Sequence, residues 1–269
     1  MAARRCVRKS AQPIAPARIP DFLRVQMMSR ISTALIVLAF AAYGSRAAVQ
    51  GAAATPDLSG VYWATTYSPR IQPVTGGDPP YKPEAMATYK KNMAAVAANT
   101  LDDKARSFCV PDSVPRVLES PYPFEIVQAT NRGEIYLLYE INHMIRRVDM
   151  QQPLPPAKEL EDLPFYSGHS AGHWEGDTLV IESGGFNEHS FLDNSGAPHS
   201  DQLRTVERIR KIDNGKSLED VITIHDPAVF TRDWSARFVY QARPDIRIMD
   251  WNCGEKHRDL SSVKGVHPQ

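Results

Sequence analysis

Apolar and polar residues alternate in short runs along most of the chain after residue 120, and turn-forming residues separate these runs. Two turns stand out, Asn131-Arg132-Gly133 and Asp213-Asn214-Gly215, because Asn, Asp and Gly accept the left-handed backbone that hairpins need. Alternation with a period of two is typical of strands with one buried face. The predicted strands are 57–63, 124–130, 134–141, 144–150, 177–183, 202–212, 217–225, 237–241 and 246–253.

One segment has a helical period instead. Lys82 to Thr100 is alanine-rich, has proline only in its first turn, and repeats apolar residues at a spacing of three to four. Pro/Gly-rich segments 70–82 and 153–164 are predicted to be long loops. Successive hairpins with one N-terminal helix predict a mainly β fold, an antiparallel lipocalin-like β-barrel with a sandwich as the alternative. The interior of such a barrel can hold a ligand cavity.

The N-terminal region has the pattern of a secretion signal. Met27-Met28-Ser29-Arg30 precedes an apolar run from Ala34 to Ala42, and Ser45 and Ala47 occupy the −3 and −1 positions of a cleavage site before Ala48. The run is shorter than the roughly 20 residues of a membrane span. We therefore expect residues 1–47 to be removed, and residues 48–269 to form a single β-rich domain that is periplasmic or secreted, with no integral membrane span.

Removal of the signal changes the charge of the protein. The full chain has 31 basic and 31 acidic residues, of which residues 1–47 hold eight basic and one acidic, so the mature chain has a net charge of about −7. Nucleic acids and anionic membranes both require clustered Lys and Arg, and no such cluster follows residue 47. Nucleic acid is thus excluded as a partner, whereas the sequence does not determine the oligomeric state.

Cysteine usage agrees with an oxidising compartment. Cys6 leaves with the signal, and the remaining pair, Cys109 and Cys253, is predicted to form a disulfide because an even number of cysteines is typical of exported proteins. Two unpaired buried thiols are the alternative. A disulfide commonly stabilises a fold by about 2–4 kcal/mol.

Residues 166–204 hold the greatest concentration of polar groups with catalytic potential, including four of the eight histidines. Pro198 imposes extended geometry after which His199 and Asp201 point to the same side, so that the carboxylate can orient the ring for acid/base chemistry. A purely structural His/Asp pair is the alternative. The candidate catalytic residues are Tyr166, His169, His199, Asp201 and Arg204.

A metal site is a weaker interpretation of the same region. His169 and His173 have the spacing of two ligands on a helix, but the glycines between and before them oppose a helix. In an extended chain the two rings would lie about 13 Å apart, too far to share an ion. We expect neither a metal nor another cofactor.

The motif string resembles that of a family of exported proteins from acidobacteria and sphingomonad-type proteobacteria, to which no general activity is assigned. The shared motifs, which span roughly residues 105–255, are Gly168-His169-Ser170, Trp174-Glu175-Gly176-Asp177-Thr178-Leu179-Val180, Gly185-Phe186-Asn187 and Pro198-His199-Ser200-Asp201 with Leu203-Arg204. His173 departs from the family pattern, which more often has arginine there. The resemblance therefore favours His169, His199 and Asp201 over His173.

These observations predict a cofactor-independent enzyme that moves protons by histidine, a lyase or isomerase ahead of a hydrolase. Its substrate is expected to be a small apolar or aromatic molecule held in the barrel, with Tyr166 or Arg204 polarising an oxygen. The alternative is a non-catalytic, lipocalin-like carrier of a hydrophobic ligand.

Overall fold

The hairpin around Asp213-Asn214-Gly215 shows how the sequence builds the sheet. In the computed structural model, which describes residues 55–108, 110–162 and 164–251, all three turn residues have positive φ, between 52° and 82°. The strands on either side pair over nine residues each, from Arg204↔His225 to Ile212↔Ser217. The predicted secretion signal, Cys109 and Cys253 lie outside the described residues.

Nine strands in the described ranges close into a barrel in chain order, so the predicted mainly β barrel is confirmed. All neighbouring pairs are antiparallel except β4 and β5, which run parallel, and β9 closes the barrel by pairing with β1. The strands are β1 (Gly60–Ala64), β2 (Phe124–Ala129), β3 (Glu134–Tyr139), β4 (Ile145–Asp149), β5 (His169–Glu175), β6 (Thr178–Gly184), β7 (Arg204–Ile212), β8 (Ser217–His225) and β9 (Trp234–Ala242).

The barrel interior is the hydrophobic core, and it is filled by side chains from every strand. Alternate residues point inward, as in β7, where Thr205, Glu207 and Ile209 are buried while Val206 and Arg208 are exposed. Residues 185–203 cover the barrel end at which β7 begins, with Phe186 and Leu192 almost completely buried.

The predicted N-terminal helix is confirmed as α1 (Pro83–Ala97), which has proline in its first turn and buries Tyr89 against the barrel. Two short helices, α2 (Lys104–Phe108) and α3 (Ala157–Leu160), lie in the connections, and a 3₁₀ turn spans Arg116–Glu119. Among the described residues, no helix combines the length and apolar character needed to cross a membrane.

Two details differ from the sequence prediction. Residues 246–251 are not a strand, because the adjoining end of β9 already pairs with β8 on one side and β1 on the other and offers no edge there. The strand β5, which the glycines and the turn-like Trp174-Glu175 had obscured, pairs with β6 over all seven of its residues. The proline-rich segment between β4 and β5 provides the connection that a parallel pair requires.

Candidate functional site

A pocket of about 460 Å³ opens at the barrel end covered by residues 185–203. Arg204, the first residue of β7, and His225, the last residue of β8, both line it and lie directly opposite each other in the ladder. The pocket is termed here the His225 pocket. It combines apolar and ionisable walls, which is the usual composition of a small-molecule site. Its lining also includes Leu160, Phe186, Leu203, Glu161, Glu188, His189 and Asp201.

His225 is held by a carboxylate. Its Nδ1 lies 2.6 Å from Oδ1 of Asp233, which stands eight residues later, just before β9. When Nδ1–H donates to the carboxylate, the lone pair resides on Nε2, which is the arrangement of an oriented general base. Both side chains are about half exposed, so the pair is open to solvent and to a ligand.

Arg204 provides the positive charge of the pocket. It is half-buried, and it forms no salt bridge within 4 Å to any carboxylate of the described residues. Its guanidinium therefore keeps its donors for a ligand oxygen, for which its planar fork is well suited. Asp201, exposed in the turn before β7, lines the same pocket. Two of the five sequence-predicted residues thus come together.

His199 is not part of this surface. It is buried, with Nδ1 3.0 Å from the carbonyl oxygen of Ser200 and Nε2 3.0 Å from Oγ of Ser190. Burial lowers the pKa of His199, only partly opposed by the Ser200 carbonyl and by Asp226. The ring is therefore neutral, donates through Nδ1–H and accepts from the Ser190 hydroxyl.

The expected pairing of His199 with Asp201 is not what the structure shows, since both ring nitrogens of His199 have these other partners. Residues 198–203 form irregular backbone and a turn rather than the extended chain that the alternation argument assumed. Asp226 accepts from both the backbone N–H and the hydroxyl of Ser200, at 2.7 Å each, and this fixes the irregular path.

His169 and Tyr166 lie elsewhere. His169, the first residue of β5, packs edge-on against Phe165 with ring centroids 5.0 Å apart, and it lines a different surface groove alongside β4. Tyr166 is half-buried in the segment before β5 and lines neither this groove nor the His225 pocket. The five predicted residues therefore do not converge on one pocket.

His225 and Asp233 of the pocket region escaped sequence reasoning, whereas His189 lay in the polar segment 166–204 but was not among the candidate catalytic residues. The signal that could have found the first two is the β8–β9 hairpin, since His225 ends one strand and Asp233 precedes the next. No group of three His, Cys, Asp or Glu side chains in the described ranges is arranged to hold a metal ion. His173, the weaker metal candidate, lies 3.3 Å from the exposed Glu175.

A second polar cluster lies inside the barrel. Arg146 of β4 donates to both carboxylate oxygens of Glu207 on β7, to Ser183 Oγ at 2.8 Å and to Ser170 Oγ at 3.0 Å. Burial and the adjacent Glu207 raise the pKa of Asp220 well above its usual range, against the opposing effect of Arg146. All these groups are buried, so the cluster stabilises the barrel interior and is not exposed to a ligand at the surface.

The comparisons with known proteins add no relative to this description. No protein-family model matches the chain, and no curated protein matches it.

Proposed function

We propose that the protein is an acid/base enzyme of the lyase or isomerase class, and that the His225 pocket is its active site. The observation that carries the proposal is the 2.6 Å contact between Asp233 and Nδ1 of His225, in a pocket where Arg204 stands directly across the ladder. An imidazole oriented by a carboxylate can act as a general base that removes a proton next to a carbonyl group, and an adjacent arginine can stabilise the negative charge that develops on the oxygen.

The reaction that this geometry supports begins with a substrate whose carbonyl or carboxylate oxygen accepts from Arg204. Nε2 of His225 takes a proton from the adjacent carbon. The C–H electron pair forms a C=C bond to the carbonyl carbon, and the C=O π pair moves to the oxygen, where the guanidinium stabilises the negative charge. Asp233 stabilises the imidazolium that forms. Return of the proton to another carbon gives isomerisation, and departure of a β-substituent gives elimination. Neither step requires a cofactor.

The walls of the pocket favour a substrate with an apolar body. Leu160, Phe186 and Leu203 line it beside the ionisable groups. His189 and Asp201 on the opposite loop are the candidates for a second proton-transfer group. His199 is assigned a supporting role, because its bonds to Ser190 and Ser200 hold the segment that carries Asp201.

Proton exchange tests the proposal before the natural substrate is identified. Phenylacetone in D₂O, followed by proton NMR, reports abstraction of a proton adjacent to a carbonyl. The wild-type protein is expected to accelerate exchange, and His225→Gln to reduce the protein-dependent rate by about 10²–10⁴-fold, the usual range for a general base. Asp233→Asn is expected to cause a smaller loss, because it removes the orienting charge and leaves the base in place.

The matched control is His173→Gln, which removes another half-exposed histidine paired with a carboxylate but outside the pocket. It should exchange at the wild-type rate. Equal rates for wild type and His225→Gln would refute the proposal. Retained binding of phenylacetone without accelerated exchange would also contradict catalysis, and would favour the alternative of a non-catalytic carrier.

We also propose that the protein works after export, in the periplasm or outside the cell. The support is the sequence pattern of residues 27–47 and the acidic charge of the chain that follows it. Such compartments have no ready supply of ATP or NAD(P)H, which agrees with a reaction that moves only protons.

A further inference from the structure

The ladder between β1 and β9, which closes the barrel, is short. These strands pair only at Tyr62↔Ala242, Trp63↔Gln241 and Ala64↔Tyr240, although β9 begins at Trp234. Beyond Ala64 the chain stays near β9 through only two backbone hydrogen bonds, from Thr65 N to Val239 O at 3.3 Å and from Val74 N to Ser235 O at 2.8 Å. The wall here is thus a loop rather than a strand.

A pocket of about 410 Å³ lies between this loop and β9, and it is termed here the Glu119 pocket. Its lining includes Ala236, Phe238 and Tyr240, which are the inward-facing residues of β9, and Glu119 from the 3₁₀ turn. The pocket therefore reaches side chains of the barrel interior from the side. It shares no lining residue with the His225 pocket.

Two buried polar atoms of this pocket lack hydrogen-bond partners among the described residues: Oε1 of Glu119 and Nε of Arg70. Glu119 is only 5 % exposed, and its other oxygen accepts from the backbone N–H of Asn194 at 3.4 Å. The rest of the Arg70 guanidinium is fixed by Asp78 and by the face of Tyr89, whose centroid lies 5.6 Å away. An unpaired buried polar group destabilises the fold, and a ligand that supplies the partner can recover that loss.

The protonation of Glu119 decides what these atoms can bind. Burial raises the pKa of the Glu119 carboxyl to about 9, the charge of Asp193 adds to the effect, and the Asn194 N–H and Arg116 oppose it. The other ionisable side chains that line the Glu119 pocket are Tyr240 of β9 and Arg237, which lies on the outer side of the same strand. At neutral pH the carboxyl is therefore a hydrogen-bond donor, as is Nε–H of Arg70.

We propose that the Glu119 pocket is a second ligand site, which takes a small molecule with an apolar body and an acceptor oxygen, either a carboxylate or a carbonyl. The Glu119 O–H donates to that oxygen, the Arg70 guanidinium lies in the lining of the same pocket, and Phe238, Ile71 and Ala236 contact the body. Two donors that lack acceptors select against ammonium groups, which bring further donors. The site is independent of the reaction proposed for the His225 pocket.

Benzoate and acetophenone are the probes, one with each kind of oxygen, and benzylamine is the cationic control. Titrations with benzoate and acetophenone, followed by ¹H–¹⁵N NMR between pH 6 and pH 10, should shift the amides of residues 65–74 and of β9. Benzylamine should not shift them between pH 6 and pH 8, where Glu119 is protonated. Because only the protonated carboxyl donates, the Kd for benzoate should rise about fivefold from pH 9 to pH 10, as the protonated fraction falls from about one half to about one eleventh. Acetophenone should weaken less, since it has no charge for the ionised Glu119 to repel.

Glu119→Gln keeps a donor that does not ionise, so it should bind benzoate with a Kd that is constant from pH 8 to pH 10. Arg70→Leu should weaken benzoate binding at every pH, and the exposed Glu182→Gln on β6 should bind as the wild type does. Shifts confined to the His225 pocket, no saturable shift with either probe, or a wild-type pH profile in Glu119→Gln would each overturn the proposal.

Discussion

The interior ion pair between Arg146 and Glu207 gives the sharpest prediction about stability. Their side chains are 1 % and 0 % exposed, and the guanidinium makes four hydrogen bonds, two to the carboxylate and one each to Ser170 and Ser183. The perturbation is a double-mutant cycle of Arg146→Met, Glu207→Met and the combined variant. Methionine fills a similar volume without charge.

Each single variant leaves an uncompensated charge inside the barrel. Breaking a buried pair in this way costs about 3–5 kcal/mol, whereas replacing both partners by apolar residues is often close to neutral. The combined variant should therefore be more stable than either single variant. With these costs the cycle should give a coupling free energy of about 6 kcal/mol or more, beyond the roughly 0.5–3 kcal/mol that is usual for contacting residues.

Urea unfolding followed by tryptophan fluorescence measures the four free energies. The matched control is the cycle for Arg208 and Glu175, which lie 2.6 Å apart but are 47 % and 48 % exposed. Solvent screens that pair, so its coupling should not exceed about 1 kcal/mol. If a methionine variant does not fold, Glu207→Gln at the same position provides a milder loss of charge. Coupling energies of equal size in the two cycles would refute the reasoning.

Two further predictions concern His199 and the export of the chain. Because burial lowers the pKa of His199, the unfolded state binds a proton near pH 6.5 that the folded state does not, so the free energy of unfolding should fall as the pH drops below 6.5. Urea unfolding at pH 5 and pH 7 should show a smaller fall in His199→Gln. An unchanged pH dependence in this variant would contradict the prediction. The mass of the protein from a periplasmic fraction should correspond to a chain that starts at Ala48, and a full-length cytoplasmic product would count against export. Cyanogen bromide fragments should remain joined through Cys109 and Cys253 until a reductant is added, and two free thiols would count against the disulfide.

The local elements of the fold could be predicted from the sequence because they depend on neighbouring residues. Left-handed turn residues at 213–215 and the alternation on either side determine the longest hairpin, and the helical spacing of Met86 and Tyr89 determines α1. Strand β5 was not predicted, because its glycines make the local sequence a poor strand former. Pairing with β6 over seven residues nevertheless stabilises the strand.

The functional pairs were decided by tertiary structure alone. Arg146 meets Glu207 across 61 residues of sequence, and Glu119 faces Asn194 across 75, because closure of the barrel brings distant strands and loops around one interior. His199 pairs with Ser190 rather than Asp201 because the backbone of residues 198–203 is irregular, whereas the pairing of His225 with Asp233 follows from the local β8–β9 hairpin. Residue types and spacing limit which side chains can act, but the partner of a side chain depends on the path of the whole chain. The sequence by itself determined most of the strands, the turns and the candidate chemistry, and the closed barrel determined which of those groups meet.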